Sequence, residues 1–140
     1  MHISDTVHFQ LDTDEGMQEF ANLVPPSGHL VYVRSDASSE PQPYAVTLFH
    51  QMTCLDVVRQ EFTQLPSSPA PQLVRHCMNY LRQTVLCRPS LFLESTVNSQ
   101  ALVSRAGYDV VCRDWNAVYE EAERNYAAYV DWSQEISNRR

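Results

Sequence analysis

With 140 residues and 44% hydrophobic side chains, the chain has the size and apolar content of one compact domain, which excludes a disordered polypeptide. The 17 acids outweigh 10 bases, the formal charge is −7, and every base is an arginine. An acidic chain without a basic stripe is a poor candidate for binding nucleic acid or anionic membrane.

The first sixteen residues, "MHISDTVHFQLDTDEG", are polar and acidic and lack the order of a signal peptide. The uninterrupted apolar stretches, such as "LVYV", are too short to span a bilayer. A soluble, cytoplasmic protein is therefore expected, or a lumenal one if a native anchor has been removed. Residues 1–10 and 133–140 are expected to be mobile ends of a single domain over 1–140, with no role for His2 or His8.

Residues 14–23 are predicted to form a short helix capped by Asp14, with Met17, Phe20, Ala21 and Leu23 on one side. Pro25 and Pro26 stop it. Residues 29–34 read as a strand and 35–43 as a solvated loop. The clearest helical pattern covers 44–62, where Leu48, Met52, Leu55, Val58 and Phe62 recur at three- and four-residue steps. Proline and serine at 63–71 break the chain. A second helix is predicted over about 70–87, with Ser68 as N-cap, Pro69 just inside the start, and Leu73, Cys77, Tyr80, Leu81, Thr84 and Val85 facing inward. Segments 90–97 and 108–112 are β-rich and are expected to pair, across a long loop. Asp114 is placed to cap a last helix over 115–132, with Trp115, Val118, Tyr119, Ala122 and Tyr126 on its inner side and the acidic run at 120–123 solvated. The fold class that follows is mainly α: a compact helical domain with two or three short strands.

Two segments echo one another, "FHQMTCLDVVRQ" at 49–60 and "RHCMNYLRQTVLC" at 75–87. On a helix His50, Thr53 and Cys54 share a face, as do Leu73, His76 and Cys77. An antiparallel pair of helices would bring two imidazoles and two sulfurs to one cleft, a donor set that suits copper or zinc. A metal site needs three or four ligands, however, so spacing alone favours half-buried histidines and cysteines acting as small apolar side chains. Four cysteines allow three pairings, and free thiols are the default without a secretion signal. Cys87 and Cys112 could pair in a secreted protein, and in the cytosol both are expected to be buried thiols.

The stretches "HQMTCL", "HCMNYLRQTVLC" and "VVCRDW", with "LVPPSGHLVYV" ahead of them, together resemble the UstYa-like proteins of fungal mycotoxin biosynthesis. That family shows two His-x-x-His-Cys motifs, the second followed by Leu-Arg-Gln and a cysteine, and then a His-Gln-Cys-Arg-Asp-Trp stretch. The resemblance covers most of residues 15–126. It implies oxidative chemistry in secondary metabolism, copper held by the histidine motifs, and usually an N-terminal membrane anchor. This chain departs from the pattern at Thr53, Leu73 and Val110, each where the family has histidine, and no anchor is expected in it.

A scaffold kept with ligands changed suggests a reused pocket. The leading expectation is a cofactor-free cyclase or isomerase, with a pericyclase or Diels–Alderase as one concrete form, acting on a small-molecule metabolite. It would work by holding the substrate near its reactive fold and polarising a carbonyl. His50 and His76 would act as donors or as an acid–base pair, Thr53 and Tyr80 would supply hydroxyls, and Met52, Leu73 and Trp115 would shape the walls. The alternative keeps copper on His50, His76, Cys54 and Cys77, with His29 as a further candidate, in an oxidase or oxidative cyclase. A third reading is a non-catalytic partner of an intact family member. A homodimer is also possible on these grounds.

Overall fold

The computed structural model describes residues 1–36, 38–63, 70–91, 93 and 107–139. Strand β1 is His2–Ile3. Helix α1, Asp14–Ala21, is capped by Thr13, whose side chain accepts from the Gly16 amide. The cap is thus one residue ahead of the expected Asp14. Asp14 and Glu15 instead occupy the first turn, where carboxylates suit the positive end of the helix dipole. The preceding segment folds back onto α1. A Cβ on Gly16 would lie 1.9 Å from the Gln10 carbonyl oxygen, so only glycine fits there. Phe9, in the left-handed region at φ 58°, meets Phe20 edge-on at 5.5 Å. Glu19 holds this bend by accepting from the Phe9 amide and bonding His8 Nδ1 at 2.6 Å. Those two interactions, the amide first, keep the Glu19 carboxyl below its ordinary pKa.

A turn at Pro25–Gly28, closed by the Gly28 amide on the Pro25 carbonyl at 2.7 Å, leads into β2, Leu30–Val33. Gly28 sits at φ 85°, a conformation that glycine adopts without strain. Residues read as loop and helix start form a strand instead: β3, Gln42–Ala45, pairs antiparallel with β2 in the register Leu30↔Ala45 to Val33↔Gln42. Pro43 lies opposite Tyr32, whose amide and carbonyl face the other way, so its missing N–H breaks no ladder bond.

Helix α2, Thr47–Thr63, and helix α3, Gln72–Cys87, form a hairpin tied by a Cys54–Cys77 disulfide. The default of free thiols is corrected at these two positions. The residues expected to cap and open α3, Ser68 and Pro69, lie outside the described residues. Among the described residues the enclosed apolar side chains are Phe20, Phe49, Cys54, Cys77 and Ala122. The apolar residues that recur along α2 do not all point to the core: Leu55 and Phe62 are exposed, the latter by 77%. The reason is that α2 is approached from three directions. Arg59 reaches α1 and the segment before it, Cys54 reaches α3, and Phe49 meets Tyr119 edge-on at 4.8 Å. No single stripe can serve all three.

Strand β4, Tyr108–Asp109, pairs with β1; its expected partner was 90–97. Much of the latter segment, 92 and 94–97, lies outside the described residues. His2 Nδ1 bonds Asp109 Oδ1 at 3.1 Å across this pair. Helix α4 follows, Trp115–Asn138, capped by Asp114 as expected and continuing past 132 into the tail predicted to fray. It lies along β2. Asn125 accepts from the Tyr32 amide at 2.6 Å and donates to its carbonyl at 2.8 Å, which covers that sheet edge. Tyr129 stacks on Tyr32 at 3.5 Å, and Glu123, in the run expected to be solvated, accepts from Ser27 Oγ at 3.0 Å. The mainly α class with a minor β element is what the structure shows. No helix among the described residues is long and apolar enough to cross a membrane.

Candidate metal centre

The disulfide fixes the register of the α2–α3 hairpin. His50 stands one turn before Cys54, and His76 stands immediately before Cys77. Bonding the two sulfurs therefore brings the two imidazoles together, with ring centroids 5.7 Å apart and planes 17° from parallel. Tyr80, one turn beyond His76, lies against His50 at 4.1 Å and 23°. Three rings of two helices thus share nearly one orientation. His50 is half-buried, and His76 is open to solvent.

One ligand atom from each of His50, Cys54 and His76 falls within 4.8 Å of the others. Metal–imidazole bonds are about 2.0–2.1 Å long, so two nitrogens on one ion stand at most about 4.2 Å apart. The observed spread is within a small side-chain adjustment of that limit, and imidazole suits copper. The two histidines fit the ion. The cysteines do not, because a disulfide sulfur lacks the thiolate charge that binds metal. The four-ligand set of His50, His76, Cys54 and Cys77 is corrected accordingly. His29 is exposed at the start of β2 and lies outside the group.

Other expected site residues are distributed unevenly. Thr53 turns into its own helix, donating Oγ1 to the Phe49 carbonyl at 2.9 Å, and so supplies no hydroxyl to the cleft. Met52 is two residues from His50 and projects from a different side of α2. Leu73, 59% exposed, lies one turn before His76 at the start of α3. Trp115 lines a cavity of about 550 Å³ with Gln51 of α2, Thr84 and Arg88 from the α3 end, and Arg113. Sequence reasoning gave Arg88 no role. The signal was there: Gln51 neighbours His50, and Thr84 is one turn beyond Tyr80. Cys87 and Cys112 flank this end as free, exposed thiols, neither paired with each other nor buried.

A family model described as "Mycotoxin biosynthesis protein UstYa" matches residues 12–135. The "UstYa family oxidase phomYb" of Diaporthe leptostromiformis is 30% identical over 98 residues, 66% of this chain and 39% of that protein. The "Hydroxylase cctR" of Talaromyces islandicus is 29% identical over 110 residues, 70% of this chain and 41% of that protein. The chain spans about two fifths of the length of these curated relatives. No solved structure matches. Relatives named oxidase and hydroxylase overturn the expectation of a cyclase or isomerase and point to oxidoreductase chemistry instead. The match across nearly all of the described fold shows that the chain belongs to the UstYa family of mycotoxin biosynthesis proteins.

Proposed function

We propose that the chain is an oxidoreductase of fungal secondary metabolism that holds copper on His50 and His76 and acts on a small-molecule metabolite. The observation that carries this reading is the convergence of two imidazoles from two helices on one point, beside an aromatic ring. The names of the curated relatives, oxidase and hydroxylase, support the reaction class.

The chain's own residues do the positioning. The Cys54–Cys77 disulfide holds the helices so that neither imidazole has to search for the other. Tyr80 packs on the face of the His50 ring and restricts its rotation. Two protein ligands leave coordination positions free, as an open catalytic site requires and a closed structural site does not. Copper bound there would supply one-electron redox chemistry. A buried disulfide also persists best in an oxidising compartment, which supports a lumenal or secreted site of action over the cytoplasmic one.

The test is copper titration of the 140-residue chain followed by elemental analysis. One copper per chain is expected, with affinity at least tenfold weaker in His50→Ala and in His76→Ala. Unchanged stoichiometry and affinity in the double variant would defeat the reading. A second reading is favoured by Thr53, Leu73 and Val110 standing at histidine positions of the family pattern: a non-catalytic partner of an intact member. Copper-free protein that co-purifies with such a member would select it.

A further inference from the structure

The cavity lined by Trp115 carries two arginines in a chain whose formal charge is −7. Arg88, at the end of α3, and Arg113, in the turn into α4, both line it. Asp114 is the acidic group on its wall, and that carboxylate accepts from the Ala117 amide at 3.3 Å to cap α4. Among the described residues neither guanidinium has an ion-pair partner, although the chain carries 17 acids and a net charge of −7. Among the described residues the wall thus carries two arginines without an ion-pair partner and one aspartate engaged in a helix cap. Its remaining wall is apolar: the Trp115 indole, Leu48 and Val118. Two guanidiniums together with an aromatic side chain in one lining suit an amphipathic anion, because guanidinium matches carboxylate in bidentate geometry.

The position of the cavity relates it to the ring cluster. Gln51 and Thr84 form its inner edge, the first next to His50 and the second one turn from Tyr80. Arg88 lies eight residues beyond Tyr80, or roughly 12 Å along the helix. We propose that this cavity is the substrate pocket, and that Arg88 and Arg113 bind a carboxylate of an aromatic or otherwise apolar metabolite whose reacting carbon lies roughly 12 Å away beside His50. The proposal rests on the reading of His50 and His76 as the redox centre, but its recognition step can be measured without turnover.

The probe is 1-naphthylacetate, compared with its neutral isostere 1-naphthylacetamide, titrated into the 15N-labelled 140-residue chain at low ionic strength. The Trp115 indole N–H reports binding. The acid is expected to bind at least fivefold more tightly than the amide. Arg88→Gln and Arg113→Gln together should bring the two affinities together while leaving copper affinity unchanged. In the unsubstituted chain, 0.5 M salt should weaken the acid and leave the amide alone, which tests the point even if the double variant folds poorly. Equal affinity for acid and amide in the unsubstituted chain would overturn the proposal, as would an acid preference that survives both substitutions. Acid preference in a chain that takes no copper supports the pocket and rejects the redox centre. Copper binding without acid preference rejects the pocket alone.

Discussion

Arg59 is the enclosed charged side chain among the described residues. Its Nε donates to Asp56 Oδ1 at 2.7 Å, its Nη1 donates to the Leu11 carbonyl at 3.0 Å, and its guanidinium lies 5.3 Å from the Phe20 ring centre. One residue thereby fastens α1 and the segment before it to α2. Arg59→Leu would leave the Leu11 carbonyl without this donor and Asp56 with only Gln60 as partner. Breaking such a part-buried pair is expected to cost about 2–3 kcal/mol. It should appear as a lower urea midpoint with an unchanged slope, whereas a loss within 0.5 kcal/mol would show that the pin is not structural. Nothing in the sequence marks Arg59 as buried, because it is one of 10 arginines and helix periodicity counts only apolar positions. His50 and His76 were legible for the opposite reason. Their helical spacing to a cysteine places each imidazole relative to its sulfur before any tertiary structure is known. The placement of Thr53 was not legible, because its hydroxyl has a local partner, the carbonyl four residues back.

The α2–α3 hairpin is the element that carries the site, and the disulfide closes a 23-residue separation within it. Constraining an unfolded loop of that size is worth about 3 kcal/mol in the chain-entropy account. Replacing Cys54 and Cys77 together by alanine should lower stability by about that amount. It should also weaken copper binding at least tenfold, since His50 and His76 would no longer be held in register. Thermal melts with and without reductant, beside copper titration, measure both effects. A variant that melts lower but binds copper as before would assign the bond to stability alone. At this scale the sequence defined α2, α3 and the start of α4 closely, because proline breaks and an aspartate cap are local signals. The β pairings were less legible. β3 was hidden by the helix that follows directly, and β4 pairs with residues more than a hundred positions earlier. No local pattern encodes such a partner.

Across the whole molecule, α4 joins what the hairpin and the sheet would otherwise leave apart, and Tyr119 is where three parts meet. Its ring packs edge-on against Phe49 of α2 and, at 5.9 Å, against Trp115 at the cavity wall. Its hydroxyl donates to the Leu23 carbonyl at 2.6 Å, just after α1. Burial raises the pKa of this phenol above the ordinary value of 10.0. In the pH window between that value and the higher folded one, the folded protein keeps a proton that the unfolded chain releases. Stability therefore falls as pH rises through the window. Tyr119→Phe should cost about 1 kcal/mol at neutral pH, through the lost bond to Leu23. The variant has no proton to lose at this position, so its alkaline decline should be shallower. Urea unfolding at pH 8 and pH 11 would then show a gap between the two proteins that narrows with pH. Tyr32, raised chiefly by burial as well, is present in both proteins and cancels in the difference. A gap that stays constant would mean that the phenol is not held neutral by its surroundings.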